Sequence, residues 1–187
     1  MPHVAVTAVG ADRPGIVAAV TKVLVERGCN LEDASMAILR GHFAMMLVVD
    51  VPGPGDGVEG AAAAAAALET ALAPTAGELE LVVTARPLAD TVPAGAAEGD
   101  SWTVSVYGAD RPGIVHGVAA LMAELGVNIV DLTTRVVGPP DEPLYMMLLD
   151  VTVPPGVAEA QLRERLERRA EELAVQCSLH RSDADIL

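Results

Sequence analysis

Apolar and polar positions along this chain follow one order, written twice. His3–Val9 and Trp102–Tyr107 are short runs rich in β-branched residues, the pattern of strands. After the first run, Ile16, Val17, Val20, Val23 and Leu24 form an apolar stripe at i, i+3, i+4 spacing, which predicts a helix. Asp12 and Asp110 are placed to cap such helices, with Pro14 and Pro112 in the first turn. Gly28 and Gly126 predict left-handed helix ends. Strands are expected at Asn30–Leu39 and Asn128–Val137, returning through Phe43–Val51 and Leu144–Val153. The returning strands are almost wholly apolar, which predicts a central and covered place in the sheet, with the Met45-Met46 and Met146-Met147 pairs in the core. Second helices follow at Val58–Leu72, which holds seven alanines at 61–67, and at Val157–Leu173. Closing strands are expected at Glu78–Arg86 and Ala174–His180.

The order is βαββαβ, twice. It predicts an α+β protein of two ferredoxin-like domains, each an antiparallel four-stranded sheet with two helices on one face. The repetition is literal at one point: Gly-Ala-Asp-Arg-Pro-Gly-Ile-Val fills both 10–17 and 108–115, an offset of 98. Gly28, Asn30 and Asp33 recur at that offset as Gly126, Asn128 and Asp131. Met46–Val51 matches Met146–Val151 at offset 100, which places two extra residues in the second hairpin, around Gly138–Pro143. Domains are expected at 1–86 and 102–187, with 87–101 as a linker marked by Pro87, Pro93, Gly95 and Gly99. One face of each sheet is left without helices, so pairing of sheets, edge to edge or face to face, and a homodimer are expected.

Composition narrows the function. The net charge is −14, from 26 acidic and 12 basic residues, which argues against direct nucleic-acid binding. Four aromatics, Phe43, Trp102, Tyr107 and Tyr145, make a poor base-stacking platform. Two cysteines fit a reducing compartment, and neither a signal sequence nor a membrane span is visible. A cytoplasmic protein is expected.

The repeated turn is where chemistry can occur. A helix start there offers free N–H groups and partial positive charge, which suit a carboxylate or phosphate. Gly15 removes a Cβ where a ligand can approach, and the Asn30 amide offers donors and an acceptor. Asp-Arg-Pro-Gly is also a sound turn sequence with no ligand at all. Its identity in both copies, while the hairpin turns diverged, favours a functional reading. His3, His42, His116 and His180 lack metal-ligand spacing, and no Cys-x2-Cys, nucleophile elbow or phosphate loop occurs. No catalytic residue, metal or cofactor is expected. His116 stands where the first copy has Ala18, a possible inequality between two sites. Asp33 and Asp131 are expected to bond locally, and Cys29 to fill a small buried space.

The βαββαβ order, the motif Asp-Arg-Pro-Gly-Ile-Val and the following Gly-x-Asn resemble the ACT domain. A chain of two such domains is similar to the glycine cleavage system transcriptional repressor group. The resemblance implies regulation through a small amino acid bound between ACT units, by the first strand-to-helix loop and the start of the second strand. Carried over, it points to Asp12, Arg13, Pro14, Gly15, Ile16, Asn30 and Leu31, and to Asp110, Arg111, Pro112, Gly113, Ile114, Asn128 and Ile129. It implies action through a protein partner, without contact to DNA or membrane, on amino-acid or glycine metabolism. The alternative is a constitutive interaction or oligomerisation module without ligand, and a small enzyme is a third reading.

Overall fold

The computed structural model describes residues 2–52, 58–89, 99–139 and 143–182. The chain divides into two compact units at residues 92–93. The N-terminal unit runs β1 (His3–Ala11), α1 (Ile16–Glu26), β2 (Asn30–Leu39), β3 (His42–Asp50), α2 (Val58–Leu79) and β4 (Val82–Pro87). The C-terminal unit runs β5 (Asp100–Ala109), α3 (Ile114–Glu124), β6 (Asn128–Val137), β7 (Leu144–Val153), α4 (Glu159–Leu173) and β8 (Val175–Arg181). The sheets have the orders β2-β3-β1-β4 and β6-β7-β5-β8, with neighbouring strands antiparallel. This is the ferredoxin-like arrangement, present twice.

Burial explains why these segments take these forms. Val4, Val6 and Ala8 of β1 and Phe43, Met45, Leu47 and Val49 of β3 point to one face. Ile16, Val20 and Leu24 of α1 and Ala65, Leu68 and Leu72 of α2 cover that face. The C-terminal core repeats the scheme with Val104, Val106, Met147, Leu149, Leu121 and Leu162. Both first helices end in a Schellman motif. Gly28 and Gly126 take φ of 70° and 68°, and the N–H groups of Cys29 and Val127 reach back to Leu24 and Met122 at 2.9 Å.

Several expectations need correction. Asp12 and Asp110 do not cap the helices, and Pro14 and Pro112 precede them. The helices start at Ile16 and Ile114, after Gly15 and Gly113 in left-handed conformation, and neither receives a side-chain cap. α2 runs past Leu72 to Leu79, through Pro74, so β4 starts at Val82 and not Glu78. The apolar series Ala61, Ala65, Leu68, Leu72, Ala76 keeps its face through the proline, and burial outweighs the local break. α4 starts at Glu159, two residues later than expected. The linker's ends belong to strands, since Pro87 closes β4 and Asp100 opens β5, and its residues 90–98 lie outside the described residues.

The returning strands β3 and β7 are central but covered on one face only. Met45 is 5% exposed while its neighbour Met46 is 48% exposed, because successive side chains leave a strand on opposite faces. Met147 is likewise buried and Met146 only half-buried, so one methionine of each pair is core.

The second hairpin is longer by four residues, not two. Leu39 pairs with His42 across two residues, and Val137 pairs with Leu144 across six. Part of that longer turn, residues 140–142, lies outside the described residues. Gly10 faces Phe43 and Gly108 faces Tyr145, so β3 and β7 superimpose at offset 102. Offset 100 kept every residue on its proper face, since the strand period is two, but slid the strand by two residues. In space Asp50 answers to Thr152, not to Asp150.

Candidate functional site

The turn from Asp12 to Gly15 joins β1 to α1, and Asp110 to Gly113 joins β5 to α3. Gly15 and Gly113 have φ of 95° and 97°, a conformation that costs other residues free energy. The first intrahelical bonds run from Ala19 N–H to Gly15 O, 2.9 Å, and from Gly117 N–H to Gly113 O, 2.8 Å. The N–H groups of residues 16–18 and 114–116 therefore have no acceptor within their own helices. Each is a small concentration of donors at the positive end of a helix dipole.

In the N-terminal unit this end opens into a groove of about 460 Å³. The turn contributes Asp12, Arg13 and Gly15, the helix Ile16, Val17 and Ala18, and the sheet Met36 and Phe43. The turn is held from outside: Asp12 N–H donates to Gly41 O at 2.9 Å, and Arg13 pairs with Glu80 at 2.7 Å. Among the described residues Arg111 makes no ion pair. Pro14, Pro112, Asp12 and Asp110 are exposed, as are Arg111 and both glycines. Ile16 and Ile114 are core residues, and Ile16 lines the groove from below.

Asn30, Leu31, Asn128 and Ile129 do not join these turns within a unit. α1 and α3 carry the chain back along the sheet before β2 and β6 begin. Asn30 lies opposite Asp50, which faces His3 at the start of β1, whereas the turn follows Ala11 at its end. Eight residue steps separate the two ends of β1, about 26 Å at roughly 3.3 Å per step. Asn30, Leu31 and Asn128 are exposed and Ile129 is half-buried.

The sheet-borne part of the groove escaped sequence reasoning, since Met36 and Phe43 read there as strand residues. The C-terminal counterpart of Phe43 is Tyr145, visible only once the hairpins are aligned at their turns. The Tyr145 hydroxyl is buried. Burial raises its pKa, the Asp110 carboxylate raises it further, and a hydrogen bond with the Thr134 side chain lowers it.

A second cluster also went unforeseen. His3 Nε2 lies 3.2 Å from Glu32 Oε2 and 3.1 Å from Asp50 Oδ1. A register shift between Leu31 and Asp33 sets Glu32 out of the ladder and toward His3. A protonated imidazole pairs with both carboxylates there, and three such donors also suit a divalent cation. By the registers above, the same places in the C-terminal unit hold Ser101 and Thr152. Asp33 and Asp131 bond locally, to Ala34 N–H at 2.8 Å and from Thr133 at 3.4 Å. Cys29 is half-buried with its pKa raised by burial against the opposing charge of Arg27. Burial pushes Cys177 up to about 11. Among the described residues no helix is long and apolar enough to cross a membrane.

Two ferredoxin-like units, each with an uncapped helix behind a glycine turn, make this a tandem-repeat protein. The model of the ACT domain matches residues 3–86 and 103–180, and the chain belongs to the ACT-domain family. It is 28% identical over 185 residues to the glycine cleavage system transcriptional repressor of Escherichia coli, covering 95% of this chain and 89% of that one. It is 51% identical over 51 residues to a UPF0237 protein of Methanopyrus kandleri, covering 27% of this chain and 57% of that protein. Among solved structures, a protein of unknown function from Galdieria sulphuraria has a TM-score of 0.75 at 29% identity, covering 97% of this chain and 99% of that one. A structure provisionally named as a glycine cleavage system transcriptional repressor has a TM-score of 0.68 at 22% identity over 96% of each chain, a likeness of fold.

Proposed function

We propose that this protein is a cytoplasmic regulator, not an enzyme, that binds a small amino acid at its two glycine turns and acts through a protein partner. The observation that carries the reading is the uncapped helix start behind Gly15 and again behind Gly113. Three free N–H groups at a positive helix end suit an α-carboxylate. The relative from Escherichia coli supports a role in transcriptional control of amino-acid or glycine metabolism. The charge of −14 supports control through another protein and not through DNA. Asn30, Leu31, Asn128 and Ile129 would complete each site from a neighbouring unit. Two domains joined by the segment between β4 and β5, and a homodimer, belong to the same reading. A coupling of about 1–3 kcal/mol between ligand and partner is enough for a 5–150-fold change in affinity.

A thermal-shift screen over the twenty amino acids tests this. A true ligand at 100 times its Kd stabilises by about 2.7 kcal/mol. Folded protein without a shift at millimolar ligand overturns the reading. One observation favours the second reading, a constitutive interaction module: every residue of the edge strand β2 is exposed, including Leu31, Met36 and Ile38. Such an edge is a template for pairing with another chain. Ala substitutions at Gly15 and Asn30 that lower stability but spare ligand binding would favour it.

A further inference from the structure

The cluster at the start of β1 lies a full strand away from the glycine turn and takes no part in it. His3 Nε2 stands 3.2 Å from Glu32 Oε2 and 3.1 Å from Asp50 Oδ1, and the ligand atoms of the three residues lie within 4.8 Å of one another. They come from three strands, β1, β2 and β3.

Two details set this group apart from an ordinary surface ion pair. The first is an oxygen. Asp50 Oδ1 is buried and accepts no hydrogen bond among the described residues, although the imidazole nitrogen is 3.1 Å away. Native proteins leave few buried oxygens unsatisfied, and one ring proton cannot point at two carboxylates at once. The second is the spacing. Two donors each about 2.1 Å from a metal lie about 3.0 Å apart at a right angle and about 3.4 Å apart at a tetrahedral angle. Both distances from His3 Nε2 fall in that interval. Glu32 is the most exposed of the three and is set out of the ladder by the bulge after Leu31, so it has the freedom to close the remaining edge.

The C-terminal unit shows that the fold does not require these groups. It has the same bulge, between Ile129 and Asp131, and the same pairing of its first strand with its third. Ser101, Val130 and Thr152 occupy the three places there, and none of them offers an imidazole or a carboxylate.

We propose that His3, Glu32 and Asp50 bind one divalent transition-metal ion of the zinc type, in the N-terminal unit alone. An imidazole nitrogen beside two carboxylate oxygens is a zinc donor set, whereas magnesium and calcium take oxygen ligands. The cation gives Asp50 Oδ1 the bond that the imidazole does not, and it offsets the repulsion between the two carboxylates. With three protein donors, water fills the remaining coordination positions. The proposal stands apart from the amino-acid reading, and its test involves no amino acid.

Isothermal titration of the full chain with zinc chloride tests it, in the wild type and in Asp50→Asn, His3→Gln and Glu32→Gln. One zinc ion per chain should bind to the wild type, and an excess of magnesium should not displace it. Loss of an outer-shell partner already costs a metal site about 10–100-fold, so loss of a ligand should weaken zinc by at least about tenfold in each variant. His42→Gln and His116→Gln, outside the cluster, should leave zinc affinity unchanged. Circular dichroism checks that each variant keeps its sheet, and Glu32→Gln, at an exposed position, carries the test if either of the other two unfolds. No saturable zinc binding to the folded wild type, binding that survives substitution within the cluster, or equal competition by magnesium overturns the proposal.

Discussion

The two units have the same skeleton and different residues around the turn. Gly10–Val17 and Gly108–Val115 are identical, and both glycine turns have φ within a few degrees. What changes is what the sheet and helix present to the turn: Ala18, Met36 and Phe43 in one, His116, Thr134 and Tyr145 in the other. The turn itself is also held differently, by Glu80 through Arg13 in the N-terminal unit. The conserved part makes the helix end available. The varied part decides what can sit against it. A duplicated site thus keeps its common anchor and changes its discriminating contacts, as differential recognition requires.

The comparison can be broken or sharpened at several depths. Leu47 and Leu149 occupy the same buried place in the two cores. Leu47→Ala and Leu149→Ala should each cost about 2–5 kcal/mol in urea denaturation. A much smaller loss in one unit would show that the cores are not equivalent. Gly15→Ala and Gly113→Ala meet no atom within 4 Å, so their cost is backbone strain alone, about 1–2 kcal/mol in each unit. Phe43→Tyr, which puts a hydroxyl where the core holds a phenyl ring, should lower stability by about 1 kcal/mol, measured by thermal melting. Glu80→Gln removes an ion pair whose carboxylate is largely exposed and should cost at most about 1 kcal/mol.

Alkaline titration separates the units by their cysteines. Cys177 ionises at about 11 in the folded chain against an ordinary value of 9.0. The folded state holds that proton more tightly, so its contribution is full below pH 9 and is lost as pH rises toward 11. Cys177→Ala should flatten the decline of melting temperature across that window.

The element order was legible because two periodicities and a glycine punctuation carry it. Asn30–Leu39 and Asn128–Val137 stand where the alternation and the preceding Gly28 and Gly126 put them. Four things were not legible. The helix start was read from Asp12, a good cap by type, because a left-handed Gly15 cannot be told from any other glycine in a sequence. The end of α2 was hidden by Pro74, since local breakers do not reveal that Ala76 is still buried. The register of β7 was misread because a two-residue slip in a strand leaves the apolar face unchanged. That slip concealed the match of Phe43 with Tyr145, and with it a difference between the residues around the two turns. His3, Glu32 and Asp50 converge from three strands, a relation no spacing rule encodes.

The central claim is that amino acids bind at the two helix starts. Backbone amide NMR, followed while a small amino acid is titrated in, reports on it residue by residue. The account predicts shifts concentrated at Ile16–Ala18 and Ile114–His116, saturating together with the gain in thermal stability. A folded protein whose amides stay still at these six positions at millimolar ligand would contradict it.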